Sequence, residues 1–283
     1  MKSTRSKKVS LSQSALKVHY RRTAWYQVLE GEYPIDEWVE RVRFMAEQDQ
    51  VVGRQKKWAK RGMVWGVIAL FSSLFLGLIK LALPLLLIVP IISIAFLVLR
   101  RMDVPRRLSV TILPLLIILR EDADPRGKLR LRVDFTGAER DLKQLDEETL
   151  IDTSRKRVVQ TRFLDPWLQG DLLLCDGTQL QWEVSDVLRR RKIRKSTVRK
   201  TKFKTKYKVK THVNLSLTVR RDRYHVETSS APGTPQLKKQ GERKSVLRYR
   251  RDLTEGTNPS EDFDLNGFLY TISTAYQCLK PLG

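Results

Sequence analysis

The longest apolar segment of the chain, residues 63–99, contains 37 residues and a single charged one, Lys80. As one helix it would extend roughly 55 Å at about 1.5 Å per residue, nearly twice a membrane core of about 30 Å. Gly77 and Pro84 lie on either side of Lys80 and favour a turn there. The pattern therefore predicts a transmembrane helical hairpin at residues 62–100, with helices near 63–79 and 82–99.

Basic residues flank this segment on both sides, and they set its predicted orientation. Lys57 and Lys60 precede it, and Arg100 and Arg101 follow it. In a hairpin both flanks lie on one side of the membrane, which the positive-inside rule identifies as the cytoplasm. We therefore expect a multi-pass protein of a bacterial inner membrane with both termini in the cytoplasm. A re-entrant hairpin and a buried core without any span are the alternatives.

The sequence before this segment has two parts. Residues 1–12 are basic and rich in serine without an apolar period, which predicts a disordered arm. Residues 13–61 form a predicted amphipathic helical segment, because Trp38, Val39 and Val42 recur at helical spacing after Pro34.

After the apolar segment, residues 105–283 predict one α+β domain. Leu129, Leu131 and Val133 alternate with charged residues, as in a half-buried strand, and the chain ends with an apolar helical stripe after Asp264. The predicted fold class is an α+β membrane protein. It has a two-helix transmembrane hairpin followed by a cytoplasmic, largely antiparallel β-sheet domain, which is covered by a C-terminal helix.

Charge adds the most unusual feature of this domain. The formal net charge is +23, and the basic strand region 187–221 holds 15 Lys or Arg residues and no acid. Lysines occupy every second position from Lys202 to Lys210, so one face of a strand would carry them all. Such a face favours anionic partners.

The residues that we assign to an anionic-surface binding site share this basic region. They are Arg189, Arg190, Arg191, Lys192, Arg194, Lys195, Lys202, Lys204, Lys206, Lys208 and Lys210. The expected partners are a membrane and its anionic lipid headgroups, with a protein partner or a second copy as further candidates and nucleic acid less favoured. Phe203 and Tyr207 point to the opposite face, where we expect them to fill the core. A solvated face, or an edge strand that its lysines protect from aggregation, is the alternative interpretation of the lysines.

Signals for catalysis are weak. The histidines are scattered, and His225 near Asp222 and Glu227 is more typical of a surface residue than of a site. We expect no catalytic residues, no metal and no cofactor. Cys175 and Cys278 have apolar neighbours and are expected to be reduced core residues.

Three segments resemble a pattern found in uncharacterised bacterial two-span membrane proteins with a basic β domain. They are Asp165-Pro166-Trp167-Leu168, Asp176-Gly177-Thr178 and the alternating lysines from Lys202 to Lys210. The resemblance covers about residues 105–225 and implies a domain type, with no activity attached to it.

Together these patterns predict a membrane-anchored, non-catalytic adaptor or scaffold. Its basic β face would engage anionic lipid headgroups or an acidic partner. One alternative is an enzyme or small-ligand sensor with a pocket between sheet and helix, and another is a structural subunit of a larger membrane complex. A membrane-tethered nucleic-acid binder is the third.

Overall fold

The structure is a computed structural model that describes residues 12–76, 79–101, 106–153, 156–197, 199–227, 234–256 and 263–282. These residues belong to two compact units. The first contains the described residues up to Gln27 and from Glu40 to Ser109, and the second contains Val28–Val39 and the described residues from Val110 onward. Most of the predicted disordered arm, residues 1–11, and part of the predicted turn, residues 77 and 78, lie outside the described residues.

The first unit is helical. Helix α1 is Gln13–Tyr26, and Ser12 caps it by accepting a hydrogen bond from the backbone N–H of Ala15 at 3.3 Å. Helix α2, Ile35–Phe75, begins in the second unit, and α3 is Ile79–Arg101. Because α2 runs through residue 62 without a break, the part of the predicted amphipathic segment from Ile35 onward and the predicted first span up to Phe75 belong to one helix.

The prediction of a transmembrane hairpin at residues 62–100 is wrong for the described residues. Within them, no helix combines the length and the hydropathy that a membrane span requires. In α2 the apolar part starts only at Met63, while α3 contains Pro84 and Pro90 and has charged residues in its sequence near both ends. The predicted α+β membrane-protein class with its transmembrane helices, and the predicted multi-pass inner-membrane location with cytoplasmic termini, are therefore wrong.

The second unit is built on an antiparallel sheet of eight strands in the order β1-β2-β4-β5-β6-β9-β8, with β3 beside β4. A separate pair joins β7 and β10. The described strands are β1 Val28–Tyr33, β2 Leu129–Asp134, β3 Gln144–Thr153, β4 Lys156–Leu173, β5 Gln179–Ser196, β6 Thr201–Arg220, β7 Tyr224–Val226, β8 Gln236–Gln240, β9 Lys244–Gly256 and β10 Leu279–Pro281. The described α-helices that lie wholly in this unit are α4 Leu113–Asp122, which a π-helical turn precedes, and α5 Leu265–Gln277.

Helix α5 packs on one face of the sheet and closes the main core. Phe268 is fully buried, and its ring lies 6.3 Å from that of Trp182 on β5. Gly170 on β4 makes room for the indole, because a Cβ there would lie 2.0 Å from Trp182 Cζ2. Trp167 occupies an irregularity between β4 and β5 and is buried against Phe263, 5.3 Å away.

Strands β4, β5 and β6 are 18, 18 and 20 residues long, and one half of each extends away from this core. There β3 pairs with β4 from Gln144 to Thr153, and the pairing of β9 with β6 ends at Val209. We call this part, residues 144–153, 156–163, 188–196 and 201–209, the arm.

Candidate binding surface on the arm

The pleat of the arm divides the predicted binding residues between two faces. Directly opposed residues of β5 and β6 share a face, and successive residues alternate. The positions opposed to Lys202, Lys206 and Lys208 therefore lie on the same face as these lysines. We call this face the basic face; its cations from the predicted set are Arg189, Arg191, Lys195, Lys202, Lys204, Lys206, Lys208 and Lys210. The other face carries Arg190, Lys192 and Arg194.

Like charges are directly opposed on the basic face. The cross-strand pairs are Arg189 with Lys208, Arg191 with Lys206, and Lys195 with Lys202. Opposed like charges destabilise a sheet, because the side chains of such a pair start only about 5 Å apart. Anionic groups next to these pairs would therefore be stabilising.

The same face of the sheet has a mixed charge nearer the core. Lys210 Nζ lies 2.6 Å from Asp252 Oδ2, and His212 Nδ1 contacts the other oxygen of the same carboxylate. The pKa of Asp252 lies below its usual range, chiefly because Lys210 donates a hydrogen bond to it. Asn214 and Glu183 are also hydrogen-bonded there. On β5 and β6 of the arm, the described residues of this face include cations and no acid, and Lys210 stands at the boundary. Strand β3 adds acids to the arm: Asp146 pairs with Arg162 of β4, which is opposed to Arg189.

Arg190, on the opposite face, has a structural role. Its guanidinium donates to Glu139 at 3.0 Å and lies 4.9 Å above the ring of Phe163. Tyr207 packs against the same small cluster, and a hydrogen bond with Glu139 raises the pKa of its phenol. Phe203, by contrast, is 77% exposed, so the expectation that it fills the core is wrong.

Lys143 fixes the base of the arm. Its Nζ lies 2.6 Å from Asp165 Oδ1 and 2.9 Å from Asp134 Oδ2, and it donates to Thr136 at 3.0 Å. Burial raises the pKa of Asp165 despite Lys143. Burial acts in the same direction on Asp134, but hydrogen bonds from Thr136 and Lys143 outweigh it and lower that pKa. The network connects the segment before β3 to β4.

The outer edge of β6 has no strand beside it in the arm, as far as the described residues show. Strand β9 pairs with β6 only from Val209 onward. Thr197 donates its N–H to the carbonyl of Lys200 at 2.9 Å, and hydrogen-bonded pairs alternate with non-hydrogen-bonded pairs in an antiparallel ladder. Residues 201, 203, 205 and 207 therefore direct their N–H and C=O groups away from β5, toward this edge.

The remaining chemical candidates do not assemble a catalytic site. His225 is exposed on β7, while Glu227 forms an ion pair with Lys280 at 2.7 Å and Asp222 pairs with Arg220. Sequence reasoning missed the pair of His212 with Asp252, because these residues lie 40 positions apart and meet only through the pairing of β6 with β9. Among the described residues, no group of His, Cys, Asp or Glu is arranged to hold a metal ion.

No protein-family model matches this chain, and neither the curated proteins nor the solved structures compared with it gave a significant match.

Proposed function

We propose that this protein is a non-catalytic adaptor that binds an acidic polypeptide segment as an added strand along the outer edge of β6. The observation that carries the proposal is that one strand, β6, provides both the outer edge and the lysines of the basic face. Adding a strand satisfies outward backbone groups and supplies affinity, while alternate side chains supply specificity.

The charges of the arm select the partner strand. A strand beside β6 would place every second side chain on the basic face, next to Lys202, Lys204 and Lys206. Acidic side chains at those positions would relieve the repulsion between the opposed cations. A second basic edge would instead be repelled, so the lysines also prevent two β6 edges from pairing with each other.

A nucleic acid fits this surface less well. Single-stranded nucleic acids combine phosphate contacts with stacking of bases on aromatic side chains. Phe203 and Tyr207 lie on the face opposite to the lysines, and Tyr207 is packed into the cluster at the base of the arm. Phosphate contacts on the basic face would therefore lack an aromatic partner from this strand.

The test is a titration of the full chain with a synthetic peptide of about eight alternating Glu and Thr residues, which suits an edge of eight residues, 201–208. The charge-reversed variant replaces Lys202, Lys204, Lys206 and Lys208 by Glu. We expect it to bind at least about tenfold more weakly, since each opposed charge pair contributes about 0.2–1 kcal/mol. Affinity for the native chain should fall with added salt.

A matched control reverses four exposed cations elsewhere, Lys238, Lys239, Arg243 and Lys244, and should leave binding unchanged. Thr205→Pro removes one outward N–H without touching a charge, and Pro is tolerated on edge strands. This variant should also lose binding. Tighter binding of oligo-deoxythymidine or of anionic vesicles than of the peptide, or equal binding by Thr205→Pro, would overturn the proposal.

A further inference from the structure

A cavity of about 460 Å³ lies between α4, α5 and the turn that joins β4 to β5. This volume is within the range of about 300–1,000 Å³ that is typical of small-molecule sites. Its walls are mainly aliphatic and include Leu119 of α4, Leu180 of β5, and Leu269 and Ile272 of α5. The cavity is separate from the arm and plays no part in the function proposed above.

The backbone around the cavity is held in place. After α4 ends, the chain pairs with the end of β4, since Asp124 donates its N–H to the Leu173 carbonyl at 3.0 Å. Cys175 donates its N–H to the carbonyl of Asp122 at 2.9 Å. Cys175 is exposed, so the expectation of a core cysteine is wrong for it. The walls are thus preformed by hydrogen bonds that need no ligand.

Every charged residue that lines the cavity is acidic. These residues are Asp122 and Asp176, and no Lys, Arg or His belongs to the lining. In a chain with a net charge of +23, such a lining stands out. Arg223 lies nearby, but its Nη1 donates to the backbone carbonyl of Asp176 at 2.8 Å and not to the carboxylate.

The carboxylate of Asp176 is oriented by its neighbours. Oδ2 accepts hydrogen bonds from Thr178 Oγ1 at 2.9 Å and from the phenol of Tyr224 at 3.0 Å, while Oδ1 accepts the backbone N–H of Thr178 at 2.8 Å. The phenol of Tyr276 adds a longer hydrogen bond to Oδ2, at 3.5 Å. Oδ1 accepts from the backbone N–H of Thr178 alone among these donors, and a carboxylate oxygen offers about two acceptor positions, so one on Oδ1 remains for a ligand. Tyr276 completes the polar side of the cavity, and burial followed by the charge of Asp176 raises its pKa.

We propose that this cavity binds a small amphiphilic cation, namely an alkylamine whose ammonium group meets Asp122 and Asp176 while its chain lies against the aliphatic walls. An apolar wall and a few convergent polar groups are the usual composition of a ligand site. The carboxylates exclude an anionic head group by repulsion. A neutral alcohol would contact the aliphatic walls but would place no positive charge next to the carboxylates.

The experiment measures binding of octylammonium, octanol and octanoate to the full chain by calorimetry. Octylammonium should bind at least about tenfold more tightly than octanol, because hydrogen bonds to ionised groups are the stronger ones, and octanoate should bind least. Asp122 is exposed, so we expect Asp122→Asn to preserve the fold. It should weaken the binding of octylammonium at least about fivefold and leave the binding of octanol unchanged. Glu121→Gln removes an exposed neighbouring acid outside the cavity and should change the affinity for neither ligand.

Ile272→Trp narrows the cavity and should abolish binding of both octylammonium and octanol. Octanoate binding as tightly as octylammonium would overturn the proposal, as would equal losses of octylammonium in Asp122→Asn and Glu121→Gln. Binding that survives Ile272→Trp would show that the ligand lies elsewhere and would equally overturn it.

Discussion

Replacing Lys143 by Met should destabilise the second unit, because Lys143 is the cation of a buried ion pair at the base of the arm. The side chain of Lys143 is 14% exposed, and that of Asp165, its partner at 2.6 Å, is 4% exposed. Met preserves the length of the aliphatic chain, so the change removes the charge and little packing. The carboxylate of Asp165 would then remain buried without a cation.

The magnitude follows from that geometry. Breaking a buried ion pair by removing one partner costs about 3–5 kcal/mol, because the remaining charge stays desolvated. Asp134 also loses its contact with Lys143 at 2.9 Å, although it retains the backbone N–H of Thr136. We therefore expect the free energy of unfolding to fall by about 3 kcal/mol at neutral pH.

The assay is urea unfolding followed by tryptophan fluorescence, at neutral and at mildly acidic pH. Burial raises the pKa of Asp165 in the native protein, and loss of Lys143 removes two interactions that lower it, a hydrogen bond and an attraction of charge. A raised folded-state pKa favours the protonated form, so the stability tied to that proton is present at low pH and lost as the pH rises through that pKa. The deficit of Lys143→Met should therefore shrink as the pH is lowered.

Adding Asp165→Asn to Lys143→Met should restore at least about 1 kcal/mol, because the unpaired charge is gone. The control, Lys239→Met, changes an exposed lysine and should stay within about 0.5 kcal/mol of the native protein. A loss below about 1 kcal/mol in Lys143→Met, or a double variant no more stable than the single one, would refute the reasoning.

Two further predictions concern packing and titration. Gly170→Ala should lower the free energy of unfolding by about 1–3 kcal/mol, because the new Cβ would lie 2.0 Å from Trp182 Cζ2. The control is Gly53→Ala, where a new Cβ would have nothing within 4 Å; it should be neutral or stabilising in the same urea assay. Asp176→Asn should lower the pKa of Tyr276, whose phenol now titrates above its usual range through burial and the charge of Asp176; an unchanged ultraviolet titration of the tyrosines in that variant would contradict this assignment.

The long alternating strands could be predicted from the sequence, because their two faces meet different environments. Residues 129–134 alternate between buried and exposed, as the sequence pattern predicts, and so do most residues of β6 beyond Lys208. The segregation of Lys202, Lys204 and Lys206 on one face also follows from the pattern alone.

Other elements depend on partners distant in sequence. Residues 28–33 lie within the predicted helical segment 13–61 but form β1, because they pair with β2 a hundred positions later. Strand β3 is polar, with Asp146 and Glu148 among its residues, and such a composition favours a loop. It becomes a strand because β4 offers it a paired edge. The exposure of Phe203 was missed because the arm extends beyond the core that the apolar face of β6 contacts elsewhere.

The apolar segment shows a limit of hydropathy as a signal. Its length and flanking charges predict spans, but hydropathy does not indicate where a helix begins. Helix α2 starts at Ile35 and includes the charged sequence before residue 62, so the apolar residues 63–75 are only its end.

The most direct test of the proposed function is residue-resolved amide hydrogen exchange of the full chain with and without the acidic peptide. An added strand would protect the outward amides of Phe203, Thr205 and Tyr207, while Lys204 and Lys206, already bonded to β5, would change little. We predict this alternation. Peptide binding without protection at these amides, or with uniform protection along β6, would contradict strand addition and leave only a charged surface.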